Sequence, residues 1–240
     1  MSEQLVLDLA RAEPPTFANF VGGANREALA ALAALAAGTS RESGILLWGA
    51  PGAGKSHLLR ATTLAADEVL HPVLYCATPG DVPDDVLASH ETPAGDDAPP
   101  PALLVADAVD RATEHDQARL FTRVNRLAAI GGKWLAAAAV PPARLALRED
   151  LRTRLALGLV LEIVPLADAD KPAALAAYAR ERGFRLSDDV IVYLLAHGRR
   201  DMTSLVATLA ALDRHSLATQ RSITVPLLRD WLQRDLGLSR

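Results

Sequence analysis

The 240-residue chain has a single cysteine, Cys76, and only two methionines. One thiol excludes an internal disulfide framework and any cysteine-built zinc site, and it points to a reducing compartment, the cytoplasm being the expected one. Aromatic residues make up only 4% of the chain. Ala and Leu fill the gap, which favours helices over a sandwich or barrel. Long apolar runs are missing too. The longest lies within residues 28–37, far short of the roughly 20 residues a spanning helix needs. No basic stretch followed by an apolar one opens the chain, so no secretory signal is expected, and no repeat points to a solenoid.

Strong net charge is the next absence. A formal charge of −4 and a pI near 5.9 exclude a chain whose whole surface binds DNA or membrane electrostatically. The charge is unevenly spread, however. Residues 61–110 hold ten acids and no Lys or Arg, whereas residues 111–240 hold 20 basic and 14 acidic residues. A local basic surface is therefore still allowed.

What is present is an alternation of short apolar runs and amphipathic stretches. Residues 44–48, 72–76, 102–107, 133–140 and 159–164 suit buried strands, separated by helical patterns over 25–37, 54–70 and 116–130. That order predicts an α/β fold with a doubly wound, mostly parallel five-stranded sheet. Beyond Pro165 only helices are expected, over 168–182, 187–197, 201–219 and 225–235. Ser187 and Thr224 suit N-caps there, and Gly183 and Gly198 suit helix stops. The expected division is a tail over 1–15, a nucleotide-binding αβα domain over 16–166 and a helical domain over 167–240. Residues 78–101, rich in Pro and acids, read as a mobile surface loop with a short helix near 84–89.

The strongest motif is Gly49-Ala50-Pro51-Gly52-Ala53-Gly54-Lys55-Ser56, a G-x-x-x-x-G-K-S run that follows an expected strand and opens an expected helix. Its glycines let backbone N–H groups turn onto a phosphate, Lys55 neutralises phosphate oxygens and Ser56 suits Mg²⁺. The partner carboxylate for that Mg²⁺ is expected at a neighbouring strand end. Leu103-Leu104-Val105-Ala106-Asp107 supplies it in Asp107. The next residue, Ala108, stands where a second acid would polarise an attacking water, and the following strand ends in Ala137-Ala138-Ala139-Val140 with no polar group. Asp110 lies nearby and either does or does not point back. The pattern predicts nucleotide binding with weak or no intrinsic ATP hydrolysis.

Three further features stay open on spacing alone. Arg154, in Asp150-Leu151-Arg152-Thr153-Arg154-Leu155, could reach a neighbouring subunit's phosphates, or Arg152 and Arg154 could pair with Glu149 and Asp150. Arg200 in Arg199-Arg200-Asp201-Met202 could sense nucleotide or be one of a solvated basic pair. The segment Gln4-Leu5-Val6-Leu7-Asp8-Leu9 could be an edge strand, a plain terminus or a groove-binding peptide.

Together with Thr16-Phe17-Ala18-Asn19-Phe20-Val21-Gly22-Gly23-Ala24-Asn25 and Gly54-Lys55-Ser56-His57-Leu58-Leu59, these motifs resemble the DnaA/Hda family of AAA+ proteins. The resemblance covers the chain apart from residues 78–101 and extends through Pro165-Leu166, Arg182-Gly183-Phe184 and Leu212-Asp213-Arg214. It implies an AAA+ P-loop NTPase fold with a small helical lid. It also implies that Phe17 and Val21 contact adenine, and that Gly49, Pro51, Gly52, Ala53, Gly54, Lys55, Ser56, His57, Asp107 and Arg200 hold ADP or ATP, with Ser56 and Asp107 around Mg²⁺. By the same resemblance Arg154 is an arginine finger acting on a partner's ATP, and Gln4, Leu5, Leu7 and Leu9 dock on the polymerase sliding clamp (the β subunit). A clamp motif before a core that ends soon after the lid, with no helix-turn-helix reader, is similar to the Hda branch. That branch implies an ADP-bound adaptor which promotes hydrolysis of DnaA-bound ATP, meets DNA only through the clamp, works at the replisome and touches no membrane. Self-association is left open. The competing expectation is an autonomous AAA+ ATPase of the helicase-loader type.

Overall fold

The computed structural model describes residues 14–67, 69–70, 72–81, 103–199, 201–219 and 222–235. The described residues divide into two compact units, Pro15–Pro165 and a C-terminal unit within Leu166–Arg240.

The first unit is built on five strands, β1 (Gly44–Trp48), β2 (Val73–Cys76), β3 (Leu103–Ala106), β4 (Lys133–Ala138) and β5 (Leu159–Glu162). They form one parallel sheet in the order β2-β3-β4-β1-β5. Parallel strands need helical crossovers, and these cover both faces of the sheet. Strand alternation sorts the side chains into two cores. Ile45, Leu47, Leu103, Val105, Leu135 and Ala137 pack with Leu32 and Leu35 of α1 (Arg26–Ala36) and with Leu58 and Leu59 of α2 (Lys55–Ala66). Leu46, Leu104, Ala106, Trp134, Ala136 and Ala138 face Leu120, Val124 and Leu127 of α3 (Glu114–Ala129) and Leu151 and Leu155 of α4 (Glu149–Ala156). Burial on both faces is why these strands read as continuous apolar runs rather than alternating ones.

Several boundaries differ from the sequence expectation. Strand β4 stops at Ala138, before Val140, and α2 stops at Ala66, before residue 70. Helix α3 starts two residues earlier than expected because Thr113 and Asp116 form a reciprocal capping box. Helix α4, with one polar and one buried flank over only eight residues, was not expected as a helix at all. Of the acidic loop, only residues 78–81 are described. They form a turn in which Thr78 N–H donates to Asp81 Oδ2 at 2.8 Å, and the expected helix near 84–89 lies outside the described residues.

The second unit comprises α5 (Lys171–Glu181), α6 (Asp188–His197), α7 (Met202–Thr219) and α8 (Val225–Asp235). Its core is Leu175, Val190, Leu194, Leu205, Leu209, Leu212 and Leu228, all buried. Ser187 occupies the N-cap of α6 but makes no side-chain capping bond. Gly183 follows α5 with a left-handed φ of 82°, as a helix stop should. Gly198 ends α6 in an extended conformation instead, where a side chain would press on the Leu194 carbonyl.

Candidate functional site

In a parallel sheet all carboxyl ends lie along one edge, and ligands gather where crossovers leave in opposite directions. Strand β1 is that place. Its two neighbours are β4 and β5, while the chain leaving it crosses to β2 at the far edge. The Gly49–Gly54 loop starts there, directly after Trp48, whose register partner is Ala138 at the end of β4.

The loop conformation depends on three glycines, of which Gly52 holds φ 78°. A Cβ at Gly49 would collide with the Ile163 carbonyl oxygen, so the loop leaves β1 flush against the chain following β5. Gly54 holds φ 98° and precedes the first helical turn; a Cβ there would lie 2.6 Å from the Phe20 ring. The first intrahelical acceptor of α2 is the Gly54 carbonyl, bonded by Leu58 N–H at 3.0 Å. The N–H groups of Lys55, Ser56 and His57 therefore have no partner within their own helix, the usual arrangement for an anion cradle at a helix N-terminus.

Lys55 Nζ donates to the Gly49 and Ala50 carbonyls at 2.7 and 2.9 Å. The ammonium is thus held over the loop. Partial burial pushes its pKa below the usual lysine value, with Asp107 and Asp110 pulling it back up. Asp107 lies one residue past β3, its N–H donating to the Cys76 carbonyl at 3.0 Å and its Oδ1 accepting from Ala108 N–H at 2.8 Å. Among the described residues no group of three His, Cys, Asp or Glu is placed to hold a metal ion by itself. Mg²⁺ suits a site of one carboxylate, one hydroxyl and substrate phosphates, which Asp107, the exposed Ser56 and a nucleotide would supply.

Ala108 is in the left-handed region at φ 52°, the only described non-glycine residue to be so. It brings no acid to the site. Asp110 does point back: its Oδ1 accepts from Ala139 N–H at 3.0 Å, tying the loop after β3 to the end of β4. Cys76 is buried, with its thiol pushed up to about 11 chiefly by burial.

The segment preceding α1 is fastened to this site. His57 Nε2 donates to the Thr16 carbonyl at 2.9 Å, and its ring lies 5.6 Å from that of Phe20. Burial pushes the His57 pKa down, partly offset by the bond to Thr16. Phe17 and Phe20 pack on the core, and Val21 is half-buried. Asn25, 4% exposed, spans to the other end of the domain: its Nδ2 donates to the Val164 carbonyl at 2.9 Å and its Oδ1 accepts from Val164 N–H at 2.8 Å. No motif pointed to that clip.

On α4 the arginines separate. Arg148 pairs with Asp150 at 2.7 Å and Arg152 with Glu149 at 3.9 Å. Arg154 takes neither acid, and its Nε is buried without a hydrogen-bond partner among the described residues. The alternative in which both Arg152 and Arg154 pair with Glu149 and Asp150 thus holds only for Arg152. Arg200 lies outside the described residues, as do Gln4, Leu5, Leu7 and Leu9. Asp201, next to Arg200, caps α7 through a 2.9 Å bond from Ser204 N–H.

Residues 168–232 match the family model described as "Hda, lid domain". The fold is shared with domain III of the replication initiation protein DnaA from Thermotoga maritima, at 21% identity and a TM-score of 0.66 over 92% of this chain and 95% of that one. AMPPCP-bound DnaA from Aquifex aeolicus matches at 23% identity and a TM-score of 0.63, over 83% of this chain and 65% of that one. A single-substitution variant of RuvB from Thermotoga maritima matches at 17% identity and a TM-score of 0.57, over 94% of this chain and 73% of that one. The fold is therefore that of an AAA+ P-loop protein, followed by a helical lid. No described helix is long and apolar enough to cross a membrane.

Proposed function

We propose that the chain is an Hda-like, DnaA-homologous AAA+ protein, a nucleotide-bound adaptor which makes a DnaA molecule hydrolyse its ATP. Gly49, Pro51, Gly52, Ala53, Gly54, Lys55, Ser56 and His57 hold the phosphates of ADP or ATP, with Phe17 and Val21 at the base. Ser56 and Asp107 complete a Mg²⁺ shell, and Arg200 of the lid senses the bound nucleotide. Bound Mg²⁺ would neutralise phosphate charge, while the loop N–H groups and Lys55 orient it.

Arg154 carries the proposal. It is the one arginine of α4 that neither of that helix's acids engages, and an arginine delivered in trans stabilises charge on a transferring phosphoryl group. Ala108 beside Asp107 fits the same division of labour, since a site without a second acid binds nucleotide better than it hydrolyses it. Gln4, Leu5, Leu7 and Leu9 would dock in an apolar groove of the DNA-loaded sliding clamp and bring Arg154 to DnaA. One observation favours the second reading, an autonomous ATPase of the helicase-loader type: Asp110 turns toward the end of β4 and acts electrostatically on Lys55.

Hydrolysis of DnaA-bound ATP, measured with DNA-loaded clamp and this protein, should rise well above the DnaA-only rate. Deleting residues 4–9, or changing Gln4→Ala, should return it to that rate. Full stimulation without residues 4–9 would remove the clamp from the account, and rapid DNA-stimulated turnover by the isolated protein would favour the second reading.

A further inference from the structure

The loop that carries Asp107 and Asp110 is joined to the helix that carries Arg154 through one side chain. Gln117, on the first turns of α3, is only 8% exposed. Its Nε2 donates to the Ala112 carbonyl at 2.9 Å, at the end of the loop following β3, and its Oε1 accepts from Arg148 N–H at 2.7 Å, at the N-cap of α4. Both bonds are to main chain 5 and 31 residues away, and both are made in a partly buried setting where an unmade bond is costly. The middle of the same loop is fastened by Asp110 to Ala139 N–H, and the charges of Asp107 and Asp110 raise the Lys55 pKa against the effect of burial. Hydrogen bonds therefore run from the 107–112 loop through Gln117 to the start of α4, with Arg154 in the last turn of that helix, while the charges of Asp107 and Asp110 act on the P-loop lysine from the same loop.

We propose that Gln117 is a positioning residue which couples nucleotide in this chain's own site to the placement of Arg154. The proposal rests on the reading of Arg154 as the residue offered to the partner. Lys55 and Asp107 would hold phosphates and Mg²⁺, so the charge balance at the 107–112 loop would change on binding. Gln117 transmits any shift of Ala112 to the Arg148 amide because it grips both ends with an amide whose donor and acceptor are each committed. Without that grip α4 still folds, packed by Leu151 and Leu155, but no longer follows the loop.

Gln117→Leu removes both bonds at similar volume. Gln117→Glu keeps an acceptor for Arg148 N–H while losing the donor to Ala112. Amide exchange over residues 148–156 is measured in the full chain with and without Mg-ADP, alongside stimulation of DnaA-bound ATP hydrolysis, with Arg154→Ala as reference. In wild type, Mg-ADP should change exchange at the start of α4 by about fivefold or more. In Gln117→Leu that response should vanish while ADP still binds, and stimulation should fall roughly tenfold to a hundredfold; Gln117→Glu should lie between. An α4 that ignores Mg-ADP in wild type, or answers in Gln117→Leu as it does in wild type, overturns the proposal. If Arg154→Ala stimulates like wild type, the reading of Arg154 falls instead, while the exchange comparison still decides whether loop and helix are coupled through Gln117.

Discussion

Replacing Asn25 by Ala isolates the contact that closes the nucleotide domain on itself. The Asn25 amide makes two bonds to a single residue 139 positions away, one to each main-chain group of Val164. Asn25 is buried and Val164 is 43% exposed, so the groups left behind are only partly hydrated. Two net hydrogen bonds contribute about 1 kcal/mol each, and an unpaired N–H and C=O in a half-buried setting add roughly another 1 kcal/mol together. The expected loss is ~3 kcal/mol, or a fall in Tm of roughly 6–12 °C for a domain of this size. Asn25→Asp sharpens the test. Its carboxylate still accepts from Val164 N–H but faces the Val164 carbonyl with a second oxygen, so it should be at least as destabilised near pH 7. It should recover partly on acidification, when a protonated oxygen can donate. Differential scanning calorimetry of the two variants with Mg-ADP held constant reads both effects. A Tm within about 2 °C of wild type for Asn25→Ala would refute the view that this clip fastens the segment before α1.

Two further outcomes follow from the site. Burial depresses the His57 pKa below its ordinary value near 6.5, so the unfolded chain takes up a proton before the folded one and stability falls as pH drops through that region. His57→Gln, which can still donate to the Thr16 carbonyl, should lose less Tm between pH 7.5 and 5.5; parallel Tm profiles for the two proteins would dismiss the effect. Ala108→Gly should relieve the left-handed strain at φ 52° and raise Tm by roughly 2–4 °C, about 1 kcal/mol, whereas a lowered Tm would show that Ala108 is not strained.

Much of the fold was legible because burial writes itself into sequence. Strands enclosed on both faces appear as apolar runs, and the P-loop appears as glycines because backbone must approach what it binds. Helix α4 was less legible: eight residues rich in Arg and acids show too little period to separate a helix from a charged loop. The early start of α3 had a signal, Thr113 followed by Asp116, in the form of a capping box. What sequence does not carry is which distant groups meet. Asn25 with Val164, Asp110 with Ala139 and Gln117 with Arg148 are each side chain to main chain contacts, and main chain has no letter of its own. Arg154 shows the limit most plainly. Spacing offered two arginines and two acids, and only the geometry of α4 sorts Arg148 and Arg152 onto the acids and leaves Arg154 unpaired.

Single-turnover hydrolysis of DnaA-bound ATP, with DNA-loaded clamp and either wild-type protein or Arg154→Ala, tests most directly whether Arg154 acts on another molecule's ATP. An arginine finger is worth roughly 10³-fold or more, so the variant should bind Mg-ADP and clamp as wild type does yet leave DnaA at its unstimulated rate. Equal stimulation by the two proteins would contradict the account.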